Sequence, residues 1–130
     1  MPSDPDVPDV PDAFDVYTVV VLRRPMRAPN LSDDDLDALQ SRHLAYRAEL
    51  VRRGVLVVNG PFDEQSDPTY RGMSIFACDA VDAARLSDGD PSVMAGRLEY
   101  DVMEWWVRAG SLAFPFAERR VGDRRSMPDD

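Results

Sequence analysis

The sequence predicts a single α+β domain in which helices cover an antiparallel sheet of four strands. Runs rich in β-branched and aromatic residues alternate with one long and one short helical pattern. The order of these segments is β-α-β-β-α-β, which is the split βαβ, or ferredoxin-like, arrangement. A chain of 130 residues has room for one compact domain of this kind.

The first half of the chain predicts a strand followed by a long helix. Residues 14–22 are rich in β-branched and aromatic side chains, and Pro25 and Pro29 end the strand. Ser32, with an acidic residue three positions later, predicts the cap of a helix that Gly54 terminates. The apolar stripe of this helix, at spacings of three and four, consists of Leu36, Leu39, His43, Tyr46 and Leu50.

The second half predicts three strands and a short helix. Residues 55–58 form a strand that Asn59-Gly60-Pro61 closes with a turn, and residues 73–78 form the next strand. Residues 80–86 form the second helix, Asp90-Pro91 starts a further turn, and residues 98–107 form the last strand. Residues 109–116 fit either a short helix or an extended arm.

Both ends of the chain predict tails. Residues 1–13 carry four prolines and four aspartates, a composition that predicts a disordered segment. Residues 117–130 mix charges with glycine and proline and predict a flexible C-terminal tail. The folded domain is therefore expected to span residues 14–116.

The predicted sheet is apolar on both faces. On the first strand Val16 and Val20 lie on one face, whereas Tyr17 and Val19 lie on the other. Two helices cover one face of a four-stranded sheet, so the second face needs other cover. We expect a homodimer in which the sheet faces of two copies meet.

The composition excludes several classes of function. The formal net charge is −9 and every basic residue is Arg, so nucleic acid and anionic membranes are not expected partners. One Cys and one His cannot form a Cys/His zinc site, and no metal or cofactor motif is present. The sequence has neither a signal peptide nor a long apolar run, which predicts a cytoplasmic protein.

His43 and Asp90 are the candidate catalytic residues. Imidazole suits proton transfer near neutral pH, and His43 lies on the buried stripe of the first helix. The alternative is a core histidine bonded to a carbonyl group. Asp90 precedes Pro91 and predicts a helix N-cap, which is compatible with a second role in orienting His43.

Arg47, Gly60, Pro61 and Ser74 are candidate substrate-binding residues. Arg47 lies one turn after His43 and either faces the same cavity, where it binds an acidic group, or pairs with carboxylates in solvent. Gly60-Pro61 either brings backbone close to a ligand or only ends a strand. Ser74 is either a pocket hydroxyl or a small residue beneath a helix.

Short motifs follow one another in a specific order over residues 43–102. They are His43-Leu44-Ala45, Leu50, Gly54-Val55-Leu56, Gly60-Pro61, Gly72, Ile75, Ala83-Ala84, Asp90-Pro91, Ala95-Gly96, Tyr100 and Val102. In this ordered combination the chain resembles the YciI-like (YCII-related) domain family. The resemblance implies ferredoxin-like monomers that pair into a dimeric α+β barrel. It also implies that His43 and Asp90 form the active-site pair.

Three functions are therefore expected in order of preference. The first is a cofactor-independent enzyme that acts on a small organic molecule by acid/base chemistry of the lyase, isomerase, cyclase or dehydrohalogenase type. The second is a non-catalytic dimer that binds a small molecule or serves as an accessory protein. The third is a cofactor-free oxygenase, supported by Trp105, Trp106 and Asn59 alone.

Overall fold

Strands and helices alternate in the predicted order. The computed structural model describes residues 13–114 and 123–126. Its elements are β1 (Ala13–Arg23), α1 (Asp33–Arg52), β2 (Leu56–Pro61), β3 (Tyr70–Phe76), α2 (Ala80–Asp88), α3 (Pro91–Met94), β4 (Glu99–Arg108) and β5 (Asp123–Ser126). The antiparallel sheet has the strand order β2-β3-β1-β4, which confirms the α+β, ferredoxin-like prediction.

Strand β1 is the centre of the sheet. It pairs with β3 on one side and with β4 on the other, so that Val20 lies opposite Ser74 and Val102. Its high content of valine suits a strand that is buried on both faces. Strand β2 pairs only with β3 among the described strands and forms an edge of the sheet.

Gly60 and Pro61 belong to strand β2, and the prediction that they form a closing turn is wrong. Gly60 pairs with Met73, and Pro61 pairs with Gly72. Proline has no backbone N–H and is therefore tolerated on an edge strand, where no further strand needs that donor. The pairing also extends β3 to begin at Tyr70, three residues before the predicted start.

Helices α1 and α2 pack on one face of the sheet. Leu50 of α1 and Ala83 of α2 join a core whose sheet residues include Val20 and Phe76. Ser32 accepts a hydrogen bond from the Asp35 amide at 3.1 Å, as the predicted cap requires. Gly54 follows α1 with a φ of 74°, a conformation that favours glycine at a helix end.

The second face of the sheet is covered in part by the chain itself. After β4, a turn at Arg108–Ser111 leads Leu112 and Phe114 back onto this face, and the Phe114 ring meets the Tyr17 ring edge-on at 5.9 Å. The segment is therefore not helical up to residue 114. Met103 and Trp105 on the same face each remain 42% exposed.

One part of the predicted C-terminal tail forms a strand. Residues 123–126 form β5, which pairs with residues 13–16 of β1, so the flexible-tail prediction is corrected there. The sequence did not show this strand because its pairing partner lies at the other end of the chain. Residues 1–12, 115–122 and 127–130, to which the rest of the predicted tails belongs, lie outside the described residues. No helix in the described part of the chain is long and apolar enough to cross a membrane.

Candidate functional site

Helix α1 directs two candidate side chains toward the sheet. His43 and Arg47 are four residues apart and therefore lie on the same side of the helix, one turn from each other. Arg47 is only 2% exposed, and the His43 side chain is 13% exposed. The alternative in which Arg47 pairs with carboxylates in solvent is therefore wrong.

Asp90 is fixed by the short helix that it caps. Its Oδ1 accepts the backbone N–H of Ser92 at 2.9 Å, and Pro91 occupies the first turn of α3. The residue is fully buried. The predicted cap is confirmed, and it orients a carboxylate toward α1.

His43 and Asp90 contact each other directly, although they are 47 residues apart in the chain. The distance from His43 Nδ1 to Asp90 Oδ1 is 2.8 Å. An ionised carboxylate only accepts hydrogen bonds. The proton therefore lies on Nδ1, which donates a hydrogen bond to Asp90 Oδ1. In the neutral ring, Nε2 is then unprotonated and is the atom that accepts a proton.

Arg47 connects this pair to strands β2 and β3. Its Nη1 lies 3.6 Å from Asp90 Oδ2, and its Nη2 donates to Asn59 Oδ1 at 2.9 Å. Nη2 also donates to the Ser74 hydroxyl group. His43, Asp90, Arg47, Asn59 and Ser74 are called the polar cluster below.

Burial and charge act in opposite directions on Arg47. Its guanidinium lies 5.9 Å from the centre of the Phe76 ring, in a largely apolar setting. Removal from water lowers the pKa of Arg47, and the negative charge of Asp90 partly restores it. Since arginine stays protonated in proteins, the cluster holds a buried positive charge beside a buried negative one.

Two buried atoms of the polar cluster have no hydrogen-bond partner among the described residues. They are Asp90 Oδ2 and Arg47 Nε. A buried acceptor or donor without a partner is costly in free energy. The side chains of the polar cluster therefore leave two of their own hydrogen-bonding atoms without a partner.

A cavity of about 300 Å³ lies along the edge of the sheet beside the polar cluster. This space is called the edge cavity below. Its lining residues are Val58, Asn59, Gly60, Pro61, Phe62, Met73, Ser74 and Ile75. Three of the predicted substrate-binding residues, Gly60, Pro61 and Ser74, are among them. His43 and Asp90 are not. The side chains of Asn59 and Ser74 contact Arg47 on the helix face of the sheet, whereas Met73 and Ile75, on either side of Ser74, pack on the second face.

The sequence did not identify Asn59 as a partner of Arg47 and Ser74. Its Oδ1 accepts from Arg47 and, at 3.3 Å, from the Ser74 hydroxyl. Asn59 lies opposite Ser74 in the β2–β3 register. The available signal was a polar residue next to Gly60, but it indicated this role only once the register was known.

The tryptophans do not line the edge cavity. Trp105 stacks near Tyr17 and Trp106 near Phe14, with ring centres 6.5 Å and 5.8 Å apart. Consecutive strand residues point to opposite faces, so the two indoles cannot share one pocket. The aromatic support for an oxygenase is therefore absent from the edge cavity.

Comparison with known proteins identifies the family. The family model of the YCII-related domain matches residues 17–106, which include the whole polar cluster, β2 and β3, and most of β1 and β4. No curated protein matches the chain. The chain therefore belongs to the YCII-related domain family.

Proposed function

From its membership in the YCII-related domain family and the geometry of the polar cluster, we propose that the protein is a cofactor-independent acid/base enzyme. His43 acts as the general base and acid, and Asp90 positions it. The observation that carries the proposal is the 2.8 Å contact between His43 Nδ1 and the fully buried Asp90 carboxylate. A carboxylate that fixes the tautomer of a histidine is a recurrent arrangement in acid/base catalysis.

The proposed reaction moves one proton. His43 Nε2 takes a proton from a C–H or O–H group of the substrate, and the electron pair of that bond stays on the substrate. The resulting imidazolium is stabilised by the negative charge of Asp90. The imidazolium then returns the proton to another substrate atom or to a leaving group, which covers isomerase, cyclase, lyase and dehydrohalogenase chemistry.

The edge cavity supports a small substrate. A volume of about 300 Å³ is at the lower end of the range for small-molecule pockets. Its walls are mostly apolar, and Asn59 and Ser74 are among its lining residues. In the proposal, Arg47 holds the side chains of Asn59 and Ser74 in place between the edge cavity and His43.

We also infer a homodimer through the second face of the sheet. Met103 and Trp105 remain partly exposed on this face, next to the apolar cluster of Tyr17, Val19 and Ile75. Exposed aromatic and methionine side chains are typical of protein–protein interfaces. A second copy would bury them without any new structural element.

The proposal is tested by proton exchange in deuterated solvent. The wild-type protein is incubated in D₂O with enolisable oxo acids, hydroxy acids and halogenated acids, and deuterium incorporation and product formation are followed by NMR. For any substrate that reacts, His43→Gln should lower the rate by about 10²–10⁴-fold. Asp90→Asn should also lower it, because the amide lacks the charge that stabilises imidazolium.

Arg42→Gln is the matched control, because Arg42 is exposed and adjacent to His43 in the chain. It should react at the wild-type rate, and circular dichroism should show that all variants are folded. A folded His43→Gln variant that turns over the substrate as fast as the wild type would contradict the proposal.

The second candidate function is ligand binding without turnover. The specific observation in its favour is that the lining of the edge cavity does not include His43 or Asp90. A ligand that binds saturably, is recovered unchanged and is unaffected by His43→Gln would favour this function. Loss of binding in Val58→Asp, at a partly exposed residue of the cavity lining that lies outside the polar cluster, would locate such a ligand.

A further inference from the structure

Three arginines converge at the end of the sheet where β1 finishes. The Arg24 amide donates to the Thr69 carbonyl at 2.7 Å, which places Arg24 beside the start of β3, where Arg71 lies. Arg97, just before β4, donates from Nη1 to the Pro29 carbonyl at 2.9 Å, in the loop that follows Arg24. These three residues are called the arginine cluster below.

No carboxylate of the described residues forms an ion pair with the arginine cluster. Arg23, the last residue of β1 and the chain neighbour of Arg24, has its Nη1 2.9 Å from Glu99 Oε1 and its Nε 2.8 Å from Asp101 Oδ2. Acidic residues outnumber basic ones by 24 to 15 in the sequence. The arginine cluster therefore lacks a counter-charge although its neighbour Arg23 has two.

Within the arginine cluster, Arg24 has the least satisfied hydrogen-bonding groups. Its Nε is buried and has no hydrogen-bond partner among the described residues. Removal from water, followed by the positive charges of Arg97 and Arg71, lowers the pKa of Arg24. Because guanidinium nevertheless stays protonated, the cluster concentrates positive charge around an unused donor.

The backbone conformation at Arg71 also favours a guanidinium group with unused N–H donors. The register of β1 and β3 shifts between Leu22 and Arg23, which leaves Arg71 as the extra residue of a β-bulge. A bulge redirects a side chain relative to a regular strand. The guanidinium groups of Arg71 and Arg97 each donate one hydrogen bond to a carbonyl, from Nη1, although a guanidinium has five N–H donors.

We propose that the arginine cluster binds a small oxyanion, namely the phosphate or carboxylate group of a metabolite. The planar N–H pairs of guanidinium match two oxygens of such a group, and the anion supplies the missing charge. Arg24 Nε donates to it from the buried side, and Arg71 and Arg97 donate from the rim. The site shares no residue with the polar cluster and does not depend on the proposed catalytic function.

Titration calorimetry on the full chain tests this proposal, with inorganic phosphate in one arm and citrate in the other, at low ionic strength. We expect saturable binding of at least one anion. Arg24→Gln and Arg97→Gln should each weaken it by about ten- to a hundredfold, since each removes charge-assisted hydrogen bonds. Binding of phosphate alone or of citrate alone identifies which oxyanion the site prefers.

Arg85→Gln is the matched control, because it makes the same charge change at an exposed arginine that already pairs with Asp82. Its affinity should equal that of the wild type, whereas an equal loss would indicate a general charge effect and overturn the proposal. Binding that survives both cluster substitutions unchanged, or no saturable binding of either anion, would also overturn it. His43→Gln should bind as the wild type does, which separates this site from the proposed reaction.

Discussion

The carboxylate of Asp90 makes three different contacts. It caps α3 through Ser92, holds the His43 ring and faces the Arg47 guanidinium from 3.6 Å, all while fully buried. The contacts with His43 and Arg47 use the negative charge, and a buried charge persists only with such partners. The tautomer of His43 is therefore fixed by the same atom, Oδ1, that fixes the helix start.

The tautomer can be measured without knowing any substrate. Because His43 is the sole histidine of the chain, its ring gives one set of imidazole signals. Long-range ¹H–¹⁵N spectra above the titration range of the ring should show Nδ1 protonated and Nε2 bare. A wild-type spectrum with Nε2 protonated would contradict the geometry, and Asp90→Ala should allow both tautomers.

Tyr100 links β4 to α2 through its hydroxyl group. The hydroxyl donates to Asp88 Oδ1 at 2.5 Å and to the Ala84 carbonyl at 3.1 Å. These contacts favour the protonated phenol, and the bond to Asp88 is the main cause that raises the pKa of Tyr100 to about 12 from the usual 10.0.

This shift predicts a pH-dependent contribution to stability. With the folded pKa above the unfolded one, the stabilisation is complete below pH 10.0 and is lost as the pH rises toward about 12. Urea unfolding of the wild type and of Tyr100→Phe should therefore differ most at about pH 9 and converge at higher pH. A difference that stays constant across this window would show that the phenol does not titrate as described.

The close pairing of strands β2 and β3 at the edge of the sheet depends on Gly72. A Cβ on Gly72 would lie 2.7 Å from the Gly60 carbonyl oxygen and 3.2 Å from Pro61 Cα, both of which are backbone atoms. A Cβ on Gly60, on the paired strand, meets nothing within 4 Å. The same edge also forms the wall of the edge cavity.

Alanine substitutions should separate these two glycines. Gly72→Ala pushes β2 away from β3 and should lower the free energy of unfolding by about 1–3 kcal/mol. Gly60→Ala is the control and should change it by less than about 1 kcal/mol in either direction. Equal effects in urea titrations would show that the two strands are not as close as described.

At the scale of the whole molecule, the partly covered second face of the sheet is the surface through which we propose that two copies assemble. Leu112 and Phe114 pack over part of it, but they leave Met103 and Trp105 partly in water. A contact of two such faces would bury apolar area on both copies at once, because the interface of a two-fold dimer is made of the same surface twice.

A charge on this face should therefore separate the copies. In size-exclusion chromatography with light scattering at micromolar concentration, the wild type should have twice the mass of the chain, and Trp105→Glu should have the mass of one. Val81→Glu is the matched control, since Val81 is 72% exposed on α2, which packs on the other face. A monomeric wild type would contradict the inferred dimer.

The elements with strong periodic patterns were predictable from the sequence. The stripe through Leu39, His43 and Leu50 gave the buried face of α1, and Asp90-Pro91 gave the start of α3. Gly60-Pro61 was misread as a turn because proline punctuates most local patterns, whereas its tolerance here depends on β2 being an edge strand.

The partners within the polar cluster were less predictable. A sequence pattern does not give the β2–β3 register, and this register places Asn59 against Ser74 and both within reach of Arg47. Arg47 itself was ambiguous because a charged residue at a helical spacing is normally solvated, and burial becomes acceptable only with the charge of Asp90 nearby.

The central position of β1 has a consequence for biosynthesis. Its two main neighbours, β3 and β4, leave the ribosome only after α1 and β2 have been made. Until then an apolar strand has no sheet to join, and long-range pairing of this kind is slow and prone to aggregation. The nascent chain should thus depend on chaperone shielding of residues 13–23 until synthesis has passed β4.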